Sequence, residues 1–141
     1  MAMHPDPRPP ASDPPASDPA LDLADAQLRK FQKELSAGTV SLALLAVVGA
    51  AAEPMYGYQI AKRLADVGDG VLAGKQSALY PVLRNLEAAG LLASHVEPSV
   101  AGPPRRYYRI TDDGRTVLPQ WTAAWRGTRD SLDSVLQGPR P

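Results

Sequence analysis

With 141 residues, 44% of them hydrophobic, the chain has material for one domain with a modest core and gives no reason to expect a second. Acidic and basic side chains balance at 15 each, which excludes a global field drawing the protein to nucleic acid, membrane or an acidic substrate; any such affinity has to be local. The absence of cysteine removes disulfides, thiolate metal sites and cysteine nucleophiles and fits a reducing, cytoplasmic setting, while two histidines supply little for metal or cofactor chemistry, and none is expected.

Many of the 15 prolines fall in residues 1–20, where they alternate with Asp, Ser and Ala. Such a composition buries too little apolar surface to offset ordering entropy and reads as a disordered spacer. In residues 21–36, Leu21, Leu28, Phe31 and Leu35 recur at helical spacing opposite Arg29, Lys30, Lys33 and Glu34, so an amphipathic helix is expected that needs a surface to lie on. A separate, mostly buried helix is expected from Thr39, as N-cap, to Ala52, with Glu53-Pro54 as its stop; its apolar run from Val40 is too short to span a bilayer.

After Tyr56-Gly57-Tyr58, Ile60, Ala61 and Leu64 give a short helix a narrow apolar stripe, which Gly68 and Gly70 end. The stretch from Lys75 to Ser94 is the most strongly marked in the chain. Ser77 is expected to cap a helix on which Leu79, Val82, Leu83 and Leu86 form one stripe, and Gly90 sits where a helix ends in a left-handed turn. Pro81 fits only near the start of that helix or as a kink. Leu91 to Glu97 and Arg105 to Thr111 then read as the two strands of a hairpin with Gly102-Pro103-Pro104 at its tip, and Tyr107 and Tyr108 alternate so that at most one faces outward. From Thr111, Asp112 and Asp113 favour the start of a long final helix. Its Val117, Leu118, Trp121, Trp125, Leu132, Val135 and Leu136 exceed what one small core can cover.

The expected fold is mainly α with a small β component: a winged helix-turn-helix at residues 37–112, preceded by an N-terminal helix and followed by a C-terminal helix at 113–138. In that fold the third helix enters the DNA major groove. Gln76, Ser77, Tyr80 and Arg84 lie off its apolar stripe and are candidate groove contacts, while Lys62, Lys75, Arg105 and Arg106 are candidates for phosphate contact. An enzyme is not supported, because His4 and His95 have no visible partner for base work and there is no phosphate-binding glycine loop. A winged-helix protein-interaction module without DNA binding is the competing reading, separated by salt-dependent retention on random duplex.

Tyr56-Gly57-Tyr58, Leu79-Tyr80-Pro81-Val82-Leu83, Leu86-Glu87, Gly90-Leu91-Leu92 and the run from Arg105 to Thr111 followed by Gly114 resemble, as a set, the PadR family of transcriptional regulators over roughly residues 39–136. The resemblance implies a homodimer that binds a double-stranded operator, usually as a repressor, with Tyr56, Ser77 and Tyr80 at or near the DNA. It also implies a dimer interface on the C-terminal helix, supported by the helix at 21–36 as in the smaller subgroup of the family. Relatives often carry Gly-Thr where this chain has Ser77-Ala78, so Ser77 would have to replace a threonine hydroxyl. In multidrug-binding relatives a tryptophan at the position of Trp125 stacks on flat aromatic ligands. Leu118, Trp121, Trp125 and Leu132 are therefore expected at the dimer interface, with packing the main role of the tryptophans and an aromatic, drug-like effector the second.

Overall fold

The computed structural model describes residues 18–67 and 76–139 and, for residue 76, the backbone alone. The Pro-rich stretch up to residue 17, Gly68, Gly70 and Lys75 lie outside the described residues. The elements run α1 (Pro19–Ala50), β1 (Met55–Tyr56), α2 (Gly57–Asp66), α3 (Gln76–Ala88), β2 (Leu92–Glu97), β3 (Arg105–Ile110) and α4 (Asp112–Gln137). This is a mainly helical winged-helix arrangement with a small antiparallel sheet. Two compact units divide the chain, one ending at Glu34 and one beginning at Leu35.

The two helices expected at 21–36 and 39–52 are a single helix, α1, of 32 residues. Ser36, Ala37 and Gly38 include no proline, and a lone glycine weakens a helix by only about 1 kcal/mol without ending it. Thr39 is accordingly no cap. Its Oγ1 donates back to the Leu35 carbonyl at 3.0 Å, as a threonine inside a helix does. The merged helix is also long and apolar enough, by length and composition, to cross a membrane, which the shorter expected helix was not. Its last turns, however, are used in the domain core, where Leu44 and Leu45 are wholly buried and Val48 nearly so.

Within the second unit, those three residues pack with Ile60 and Leu64 of α2 and with Leu79, Leu83 and Leu86 of α3. Leu91, Leu92, Tyr108 and Ile110 close the core from the sheet. The α3 stripe therefore does what its spacing predicts, each fully buried leucine contributing on the order of 2 kcal/mol. Gln76 is already helical, so Ser77 lies within the helix and not at the cap position. Pro81 lies within α3 and brings no N–H for the carbonyl four residues before it, that of Ser77. Gly90, at φ +79°, ends the helix with its N–H on the Glu87 carbonyl and that of Leu91 on the Leu86 carbonyl, the left-handed stop expected of it.

The expected hairpin has a third strand. β1 pairs antiparallel with β3, giving the order β1-β3-β2, with Tyr56 opposite Tyr107 and His95 on the far side of the same residue. Two residues in a Tyr-Gly-Tyr context carry no alternation that would mark a strand, so only the pairing reveals it. α4 is fastened to the domain by its first residues. The Thr111 hydroxyl donates to the Gly90 carbonyl at 2.6 Å and accepts from the Gly114 N–H at 3.0 Å.

A candidate nucleic-acid interface

The alternation of β3 sends its two tip-side arginines to opposite faces of the sheet. Tyr56, His95, Arg105 and Tyr107 share one face by register. There Arg105 lies with its guanidinium carbon 4.5 Å from the Tyr56 ring centre, and Tyr107 meets that ring edge-on at 5.5 Å. His95 stacks on Tyr107 at 5.7 Å and pairs through Nε2 with Glu97 at 3.0 Å. On the other face, Arg106 reaches across to β2, where its Nη1 donates to Ser94 Oγ at 2.9 Å. Ser94 Oγ in turn donates to Glu87 Oε1 on α3 at 2.5 Å.

Tyr56 also stands at the start of α2, where its backbone N–H donates to Gln59 Oε1 at 3.1 Å. Gly57 follows because the Tyr80 ring of α3 occupies the space a side chain would need: a Cβ there would lie 2.5 Å from Tyr80 Cε1. The absence of that one carbon lets α3 rest an aromatic ring on the first turn of α2. Beside it, Arg84 turns its Nε toward the Tyr80 carbonyl at 3.5 Å, at the limit of a hydrogen bond.

These residues enclose an open cleft of about 600 Å³ lined by Tyr56, Gly57, Tyr80, Arg84, Glu87, Pro104, Arg105, Arg106 and Tyr108. Five of the residues singled out in the sequence, Tyr56, Tyr80, Arg84, Arg105 and Arg106, are thus brought to one place. Lys62 and Ser77 are exposed on α2 and α3 away from the cleft lining, the Gln76 side chain is not described, and Lys75 lies outside the described residues. Sequence reasoning missed Gly57, Ser94 and Tyr108 as parts of the site. Period-two alternation could have grouped Ser94 with Arg106 and Tyr108, but only with the strand register known. Burial, and after it the Glu87 carboxylate, raises the Tyr108 hydroxyl above its ordinary 10.0, with Arg106 and Arg84 pulling the other way.

The residues singled out on α4 separate into two groups. Val117, Leu118 and Trp121 are half-buried against the domain's own core. Trp125 is 41% exposed, Leu132 48%, and Val135 and Leu136 each 74%. The Arg129 guanidinium lies 5.0 Å over the Trp125 ring. The two tryptophans, one turn apart in sequence, therefore have different surroundings. On α1, Leu21, Leu23, Leu28 and Phe31 are also more than half exposed.

Comparison with known proteins places this geometry. Residues 44–120 match the transcriptional regulator PadR-like family. An uncharacterized protein of Lysinibacillus sphaericus is 26% identical over 83 residues, 59% of this chain and 76% of that protein. Among solved structures, a PadR family transcriptional regulator of Eggerthella lenta is 34% identical, covering 84% of this chain and 99% of its own, with a TM-score of 0.70. A PadR-like transcriptional regulator of Bacillus cereus is 26% identical over 72% of this chain and 95% of its own, with a TM-score of 0.58. Bacillus subtilis PadR, solved in complex with operator DNA, shares the fold at 21% identity and a TM-score of 0.53 over 60% of this chain and 46% of its own.

Proposed function

The chain belongs to the PadR-like family of transcriptional regulators, and is therefore not an enzyme; from that premise we propose that it is a sequence-specific DNA-binding repressor, acting in the cytoplasm as a homodimer. The observation that carries this reading is the cleft where α3 meets the sheet, whose lining includes Arg84, Arg105 and Arg106 together with Tyr56 and Tyr80. Local charge of this kind is what an overall neutral protein needs in order to hold phosphates. Bacillus subtilis PadR, which shares the fold, was solved with operator DNA. In this reading α3 lies in the major groove with Gln76, Ser77, Tyr80 and Arg84 toward the bases, and Lys62, Lys75, Arg105 and Arg106 contact the backbone on either side.

Residues 37–112 are the DNA-binding part and residues 113–138 the dimerisation helix. Trp125, Leu132, Val135 and Leu136 supply its exposed apolar surface, and the stripe on residues 21–36 supplies a second. Relief of repression by an aromatic, drug-like effector would use the surface around Leu118, Trp121 and Trp125.

Selection from a random duplex pool, followed by gel-shift stoichiometry, tests the reading. Two subunits on a pseudo-palindromic site are expected; one subunit per duplex at saturation, or no enriched sequence, would defeat it. Arg105→Ala is expected to weaken all sequences alike and to flatten the salt dependence of binding by about one unit.

A further inference from the structure

Arg105 and Arg106 are neighbours in sequence but are held by different parts of the molecule. Arg105 lies over the Tyr56 ring. Arg106 is bound end-on to a chain of two hydrogen bonds that begins on another element: Glu87 Oε1 on α3 accepts from the Ser94 hydroxyl on β2, and Ser94 Oγ accepts from Arg106 Nη1 on β3. A hydroxyl has one proton to give and lone pairs to receive, so Ser94 can serve a carboxylate and a guanidinium at once. Both of its bonds involve an ionised partner, which makes them stronger than neutral ones.

We propose that Ser94 is a positioning residue for DNA binding: it couples the wing to the C-terminal turn of α3 and holds the Arg106 guanidinium at the cleft in the geometry that meets the nucleic acid. This rests on the DNA-binding reading given above and adds a residue and a coupling to it. Three observations support it. Register puts Ser94 opposite Tyr108 and Val96 opposite Arg106, so Ser94 and Arg106 share the sheet face that looks toward α3. Glu87 and Arg106 both line the same cleft as Tyr80 and Arg84. An unanchored arginine gives up much rotamer freedom when it binds, and an arginine already held by Ser94 has given up part of it beforehand. The chain of contacts also passes through Glu87, near the end of α3, so the wing and the recognition helix are presented to DNA as one unit.

The coupling predicts a particular pattern of non-additivity. Ser94→Thr keeps a hydroxyl and Ser94→Val replaces it with a methyl of the same shape; both suit a strand, so the pair isolates the hydroxyl from folding. Affinity is measured by fluorescence anisotropy for the duplex that the wild-type chain enriches from a random pool, over a series of salt concentrations. With Arg106 present, Ser94→Val is expected to bind roughly fivefold more weakly than Ser94→Thr, the order expected for a partly exposed hydrogen bond to a charged group. Its salt slope should equal the wild-type slope, because the arginine and its charge remain, whereas Arg106→Ala should lose about one unit. In the Arg106→Ala background the valine and threonine variants should bind alike. A threonine-valine difference that persists without Arg106, or one that is absent when Arg106 is present, overturns the proposal while leaving DNA binding standing. Failure of the wild-type chain to enrich any duplex overturns both.

Discussion

Gly57 shows how one absent side chain sets the geometry of the site. The Tyr80 ring fills the space over it, with Cε1 2.5 Å and the hydroxyl oxygen 2.9 Å from where a Cβ would be. The obstructing atoms belong to a side chain, which can swing aside, and alanine suits a helix better than glycine. Gly57→Ala should therefore change stability by less than about 1 kcal/mol while turning the Tyr80 ring out of the cleft. Thermal melting and duplex affinity separate the two effects: a melting temperature near wild type with weakened binding is expected, and unchanged binding would remove Tyr80 from the interface. Tyr108 gives a second test at this scale. Its hydroxyl is raised above 10.0 in the folded protein by burial and by Glu87, so below that pH both states hold the proton and nothing is lost. As pH rises past 10.0 the unfolded chain releases its proton first, and the stability tied to the protonated form declines through the raised folded value. Chemical denaturation across that range should show an alkaline loss that Tyr108→Phe reduces.

At the scale of elements, the junction of α3, β2 and α4 carries more than its sequence announces. Thr111 ties the start of α4 to Gly90 and Gly114 through one hydroxyl, and its own N–H donates to the Leu91 carbonyl at 3.1 Å. Thr111→Ala should cost on the order of 1 to 2 kcal/mol, read as a shift in denaturant midpoint, with Thr111→Ser recovering most of it. Gly114→Ala is the harsher change. Its Cβ would stand 2.2 Å from the Leu91 carbonyl oxygen, a backbone atom that cannot rotate away, and a loss of roughly 2 kcal/mol or more is expected. The sequence predicted a helix start at this place from Thr111 and the two aspartates, and that reading holds. It could not predict that the first turn presses against Leu91, because Gly114 and Leu91 lie 23 residues apart and only the fold brings them together.

For the whole molecule, the division of α4 decides where dimerisation can be tested. Ending the chain after Thr116 would strip Val117, Leu118 and Trp121 from the core they pack against, confusing unfolding with dissociation. A chain ending at residue 124 keeps those three and removes the exposed half that carries Trp125, Leu132, Val135 and Leu136. It should remain folded and sediment as a monomer, with the full chain expected to sediment as a dimer, and a truncated dimer at micromolar concentration would place the interface elsewhere. Trp125→Ala should weaken association by roughly 2 kcal/mol if the ring is a central anchor, and should lower affinity for a two-fold operator more than for random duplex.

The sequence by itself determined the helical stripes of α2 and α3, the glycine stop at Gly90, the start of α4, and the alternation that lets only one of Tyr107 and Tyr108 face outward, because each depends on local spacing or backbone preference; that Tyr108 is the buried one was decided by the fold. The sequence also carried the family, through motifs between Tyr56 and Gly114 that lie within the matched residues 44–120. Tertiary structure decided the rest. Whether Thr39 opened a helix or continued one turned on the absence of a breaker and on packing; the two residues of β1 became a strand only by pairing with β3; and Arg105 and Arg106 were given opposite faces and different partners by strand register. The Glu87–Ser94–Arg106 chain belongs to that second class. Its members lie 7 and 12 residues apart, on a helix and two strands, and their hydrogen bonds exist because the fold, and no local pattern, sets them at bonding distance.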